Sequence, residues 1–131
     1  MNKKKLLIRL VFLILFIFAL NYIATGFYWY FSIWYFDMLM HFLGGFWAGL
    51  AVIYVLSSQE LDFKLIIKVF LGVLLIGFLW EVFEVSVDKT ISQNPFNFLD
   101  TVSDIFFDLA GGGLSLIYFS KRIMTKIKNG I

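Results

Sequence analysis

The sequence predicts an all-α integral membrane protein, a bundle of four transmembrane helices with both termini in the cytoplasm. Three observations predict it. The 131-residue chain is 61% hydrophobic and only 15% charged, with a mean hydropathy of +0.89, whereas a soluble domain is about half apolar and a quarter charged. Apolar runs long enough to cross a bilayer recur along the chain, at about 6–22, 37–56, 65–83 and 99–119. The basic residues fall on alternate sides of those runs, as the positive-inside rule requires. Length and the lack of repeats or linkers predict a single membrane domain, residues 1–131.

The first run follows Lys3, Lys4, Lys5 and Arg9 and is apolar from Leu10 to Leu20. The same pattern fits a secretory signal, with Ala24-Thr25-Gly26 as a cleavage site, so residues 1–24 read either as a retained span or as a leader. Thr25 to Phe36 is dense in Phe, Tyr and Trp, which prefer the headgroup layer. It is expected to be an interfacial belt, with an aromatic wall over a ligand as the rival reading. The second span opens with Asp37 and His41 one turn apart, and its Gly45 and Gly49 form a small-xxx-small pair that lets helices approach.

A polar turn, Ser57 to Lys64, leads into the third span, where Lys68 near the start can snorkel to the interface. Glu81 and Glu84 close that span on one face. The connection from Val85 to Phe98 holds the one proline, Pro95. The fourth span carries Asp100, Asp104 and Asp108, four residues apart and so in one stripe, then Gly111, Gly112 and Gly113. Lys121, Arg122, Lys126 and Lys128 follow.

Ten of the eleven Lys and Arg lie on one side of the expected membrane, and Lys89 alone on the other. That assignment places Asp37, His41, Glu81, Glu84, Asp100, Asp104 and Asp108 together in the outer half of the bilayer. Six of the nine acidic residues belong to this set. At about 1.5 Å per residue, His41 lies about 6 Å deeper than Asp37 and Asp108 about 12 Å deeper than Asp100. Clustered carboxylates without a nearby cation must bind a metal, stay protonated or open onto water. Taken singly, Asp37, Asp100 and Glu84 also read as helix-end acids, and His41 as a hydrogen-bonded histidine.

The site therefore reads first as a divalent-metal centre in which Asp37, His41, Glu81, Asp100, Asp104 and Asp108 are ligands. Oxygen-rich ligation suits Mg²⁺ or Mn²⁺, and the histidine admits Zn²⁺. Glu84 or His41 would serve as general base on a lipid-linked or envelope substrate. The rival reading is a non-enzymatic envelope module whose acids and aromatics capture a cationic ligand. Proton or cation transport ranks third, because no acids continue into the inner half. The absence of cysteine excludes disulfides and thiolate metal sites, and the net charge of +2, placed at the span ends, does not point to nucleic acid. The bilayer is the expected partner. Short spans of this kind can pack alone or as a homo-oligomer.

The pattern Asp37-x-x-x-His41-Phe-x-Gly-Gly, Trp80-Glu81-Val-Phe-Glu84, Asp100-Thr-x-x-Asp104-x-x-x-Asp108-x-x-Gly111 resembles the VanZ-like superfamily of small multi-span bacterial membrane proteins, and within it the YjdF-type inner-membrane branch. The resemblance covers roughly residues 35–115. One member type is associated with resistance to teicoplanin-like glycopeptides, which implies a cell-envelope role at the inner membrane. Asp37, His41, Glu81, Asp104 and Gly111 match family motif positions. The family usually has Gln where Glu84 stands, Asn where Asp108 stands, and an arginine before the last helix that this chain lacks. The present site is thus more acidic and poorly suited to an anion held by arginine. The aspartate run also resembles parts of the CDP-alcohol phosphotransferase and UbiA-type prenyltransferase motifs, but the Asp-Gly-x-x-Ala-Arg element of the former is missing and the latter is a far larger fold.

Overall fold

The computed structural model describes residues 3–57, 60–87 and 98–123. Most of the expected 85–98 connection, with Lys89 and Pro95, lies outside them, as do Lys126 and Lys128 of the tail. The described chain is helical: α1 (Lys3–Gly26), α2 (Trp29–Ser32), α3 (Phe36–Leu56), α4 (Phe63–Val87) and α5 (Phe98–Tyr118), with a π-helical turn over Phe119–Ile123. Four of these helices are long and apolar enough to cross a membrane, and no strand occurs among the described residues. Each expected span is present, with ends that differ from the expected ones by at most four residues.

Local chemistry sets the boundaries. Tyr28 and Ser57 adopt left-handed backbone angles, φ 59° and 52°, and stop the chain from continuing as one helix. At the start of α4 the Leu65 N–H donates to Asp62 Oδ1 at 2.8 Å, an N-terminal cap. The belt between the first two spans contains α2, and Trp29 and Tyr30 both meet Phe36 edge-on, at centroid distances of 5.7 and 4.9 Å.

The core is a seam between α3 and α5. A side chain at Gly45 would collide with the Asp108 backbone, one at Gly49 with Ser115, and one at Gly111 with the Phe42 and Phe46 backbone. Only glycine lets the helices approach so closely, which is how apolar helices gain contact energy in lipid. The pairings advance together along both helices, so α3 and α5 run parallel. Helix α4 runs against them: Gly72 faces Val52, Val73 faces Gly112 and Gly77 faces Asp108. Below the glycines Ile53, Val69, Val73, Leu116 and Phe119 are almost completely buried.

Helix α1 packs on α3 in the opposite sense. The Trp47 indole donates to the Leu10 carbonyl at 3.0 Å, Lys3 sits over the Tyr54 ring at 4.6 Å, and Arg9 donates to the Tyr118 hydroxyl at 2.8 Å. Leu6 and Leu10 join the core, while Phe12, Leu15, Phe16 and Phe18 of the same helix are exposed. Those outward residues are the surface a bilayer covers. The alternation of direction brings Lys3 to Lys5, Arg9, Lys64, Lys68 and Lys121 to one end of the bundle. It brings Asp37, Glu81 and Asp100 to the other.

Candidate metal centre

His41 is the hub of the acidic end. It lies one turn into α3 and is 7% exposed. Its Nδ1 is 3.0 Å from Asp108 Oδ1 of α5. Its Nε2 faces Asp104 Oδ2 at 3.4 Å, Asp37 Oδ1 at 3.7 Å and Glu81 Oε1 at 3.9 Å. Three helices supply these side chains, and the glycine seam puts them at one level: Gly45, one turn below His41, rests on the backbone of Asp108 itself.

The two faces of the imidazole differ. A carboxylate can only accept, so the short Asp108 contact favours a proton on Nδ1. Nε2 faces the other three carboxylates, and in the neutral imidazole it carries the lone pair that a cation held there would take. A carboxylate behind a histidine, with the far nitrogen free, is the usual support of a metal-binding imidazole. The spacing on the Nε2 face is too long for hydrogen bonds. It matches instead the separation between neighbouring ligands of one ion: bonds of about 2.0–2.2 Å subtending 90–130° hold their donor atoms about 2.8–4.0 Å apart.

Two ligand groups can be drawn. His41, Glu81, Glu84 and Asp104 offer donor atoms within 4.8 Å of one another, and so do Asp37, Asp100 and Asp104. Asp104 is common to both and is 2% exposed. Glu81 is 5% exposed, and its Oε1 has no hydrogen-bond partner among the described residues; neither has Oδ2 of Asp108. Buried carboxylate oxygens left without donors are costly, and a cation among them removes the cost.

All the residues expected from the sequence reach this end of the bundle, with distinct places. Asp37, Glu81 and Asp104 surround Nε2. Asp108 stands behind the ring at Nδ1 and belongs to neither ligand group. Asp100 is exposed at the start of α5. Glu84 accepts from the Trp80 indole at 2.7 Å, at the rim. The sequence put the aromatics of the belt near the acids only as a group and did not single out Tyr30, whose hydroxyl donates to Asn21 Oδ1 at 2.5 Å. Burial, with the Asp37 and Glu84 carboxylates nearby, pushes the Tyr30 phenol above its usual range, so it remains a neutral donor. Nothing in a run of aromatic residues marks which one turns inward.

Fold and site together define a four-span membrane protein with a histidine buried among carboxylates at one end of its helix bundle. The chain belongs to the family described as predicted membrane protein (DUF2238), whose model matches residues 2–125. No curated protein and no solved structure matches it.

Proposed function

We propose that this protein carries a divalent-metal site in the outer half of the inner membrane and uses it to hydrolyse or modify a lipid-linked or envelope substrate. The observation that supports it best is the spacing on the Nε2 face of His41: three carboxylates stand 3.4–3.9 Å away, and Asp108 anchors the opposite nitrogen. His41, Glu81 and Asp104 would hold the ion, with Asp37 and Asp100 beside them through Asp104, and Asp108 orients the imidazole. Mg²⁺ or Mn²⁺ suits the oxygen majority; Zn²⁺ suits a site with fewer ligands. The ion would act as a Lewis acid toward a phosphoryl or carbonyl oxygen. Glu84, at the rim, is placed to take a proton from an attacking water.

The cellular side follows from charge. The basic end of the bundle belongs in the cytoplasm by the positive-inside rule, which sets the acidic end outward and both termini inside. The chain then forms one membrane domain. The VanZ-like resemblance, which rests on the motif positions Asp37, His41, Glu81 and Asp104, agrees with an envelope role. The orphan oxygens of Glu81 and Asp108 favour one rival, an acidic pocket that binds a cationic ligand without chemistry.

Mn²⁺ titration of the purified protein, followed by electron paramagnetic resonance, tests the metal. Saturable binding that Asp104→Asn weakens by at least about ten-fold is expected. Unchanged binding in Asp104→Asn, or binding of an alkylammonium probe in place of Mn²⁺, overturns it.

A further inference from the structure

The His41 cluster closes one end of a cleft of about 480 Å³, within the range of about 300–1,000 Å³ typical of ligand pockets. Its walls are hydrocarbon: Ile14, Ile17 and Phe18 of α1 face Val73 and Ile76 of α4 across it. Its end is polar, formed by Asp37, His41, Glu84 and Asp108. Phe18 and Ile76 are 64% and 42% exposed, so the cleft reaches the flank of the bundle within the span of α1 and α4, where lipid is the surrounding medium.

Two observations say that the cleft has room and an unmet partner. Gly44 lines it, and a Cβ built there meets nothing within 4 Å. At the polar end Asp108 is 6% exposed and its Oδ2, which a side chain at Gly77 would crowd at 2.5 Å, has no donor among the described residues. Apolar walls give water few partners. A molecule with a hydrocarbon chain and a polar head satisfies both ends at once.

We infer that the cleft receives the acyl or isoprenyl chain of a membrane lipid from the side and delivers a phosphate-bearing headgroup to the metal centre. The phosphate rests on the metal reading, because the carboxylates alone would repel an anion. Once a divalent ion sits among them, the phosphate is its natural oxygen ligand. Asp108 Oδ2 then accepts from a protonated oxygen of the phosphate headgroup. The substrate class is thus a phospholipid or polyprenyl phosphate.

Native mass spectrometry of the full-length protein in a neutral detergent tests this. The probes are dioleoyl phosphatidic acid, dioleoylglycerol and inorganic phosphate, each with and without Mn²⁺. Wild type should retain phosphatidic acid in an Mn²⁺-dependent manner, more than about ten-fold better than dioleoylglycerol or phosphate alone. Gly44→Leu, which fills the cleft without a backbone collision, should lose that lipid more than about ten-fold while keeping its Mn²⁺. Ile17→Trp, from the facing wall, should do the same and stands in if Gly44→Leu fails to fold. Normal Mn²⁺ with unchanged lipid binding in both variants overturns the cleft and leaves the metal site standing. Inorganic phosphate binding as well as the lipid assigns the site to a free anion and also overturns it. Equal retention of both lipids with no Mn²⁺ bound overturns the phosphate headgroup and the metal reading together.

Discussion

The upper and lower halves of the α3–α5 seam are built from the same device and filled with opposite chemistry. In both, glycine brings two backbones together: Gly45 and Gly111 above, Gly49 and Gly112 below. Below, the space is closed by Ile53, Val73, Leu116 and Phe119, which need nothing but contact. Above, it is closed by His41, Asp104 and Asp108, each 7% exposed or less. The apolar half explains why the bundle holds. The polar half costs stability in a membrane. Close packing thus serves two ends: it stabilises the lower half and fixes donor positions in the upper half.

The most disruptive change is one that opens the seam itself. Gly45→Leu drives a side chain into the Asp108 backbone, so both halves should fail together, with a loss on the order of 3 kcal/mol or more and no Mn²⁺ binding. Thermal unfolding in detergent, read beside metal content, measures both. Ile53→Ala should separate the halves. It empties a core position at a cost of about 2 kcal/mol, the low end for such a change because lipid already solvates the unfolded helix, and it should leave Mn²⁺ affinity unaltered. A parallel fall in affinity would mean that the halves are not independent.

Asp108→Asn should sharpen the upper half. The amide keeps the size of the side chain but weakens the anchor at Nδ1, so Mn²⁺ affinity should fall by about 10–100-fold while the protein stays folded. Titration by electron paramagnetic resonance reads this directly; an affinity equal to wild type would remove Asp108 from its supporting role. Asp62→Ala, at the start of α4 and remote from both halves, sets the baseline. Loss of its cap should cost about 1 kcal/mol in thermal unfolding and nothing in metal binding.

The legibility of the two halves in the sequence also differs, for physical reasons. Span positions follow from hydropathy because a bilayer demands long apolar runs. The acidic end follows from spacing: Asp100, Asp104 and Asp108 must share a face, and alternating direction must carry Asp37 and Glu81 to their level. The Gly45–Gly49 pair pointed to close approach, which the structure shows. Spacing could not separate the members of the stripe, however. Whether Asp104 or Asp108 faces Nε2 depends on how α5 is rotated against α3, and Gly45 and Gly111 set that through contacts across the seam. The cleft was not legible either. It depends on how α1, apolar on every side, leans on α3 through Trp47 and Leu10, and a uniformly apolar helix carries no signal of which face it turns inward.

The most direct test of the central claim is the divalent-metal content of the detergent-purified protein by elemental mass spectrometry, beside the Asp104→Asn/His41→Ala double variant. About one tightly held ion per chain is expected in the wild type, and its loss in the variant. No metal in the wild type, or equal metal in both proteins, would contradict that claim.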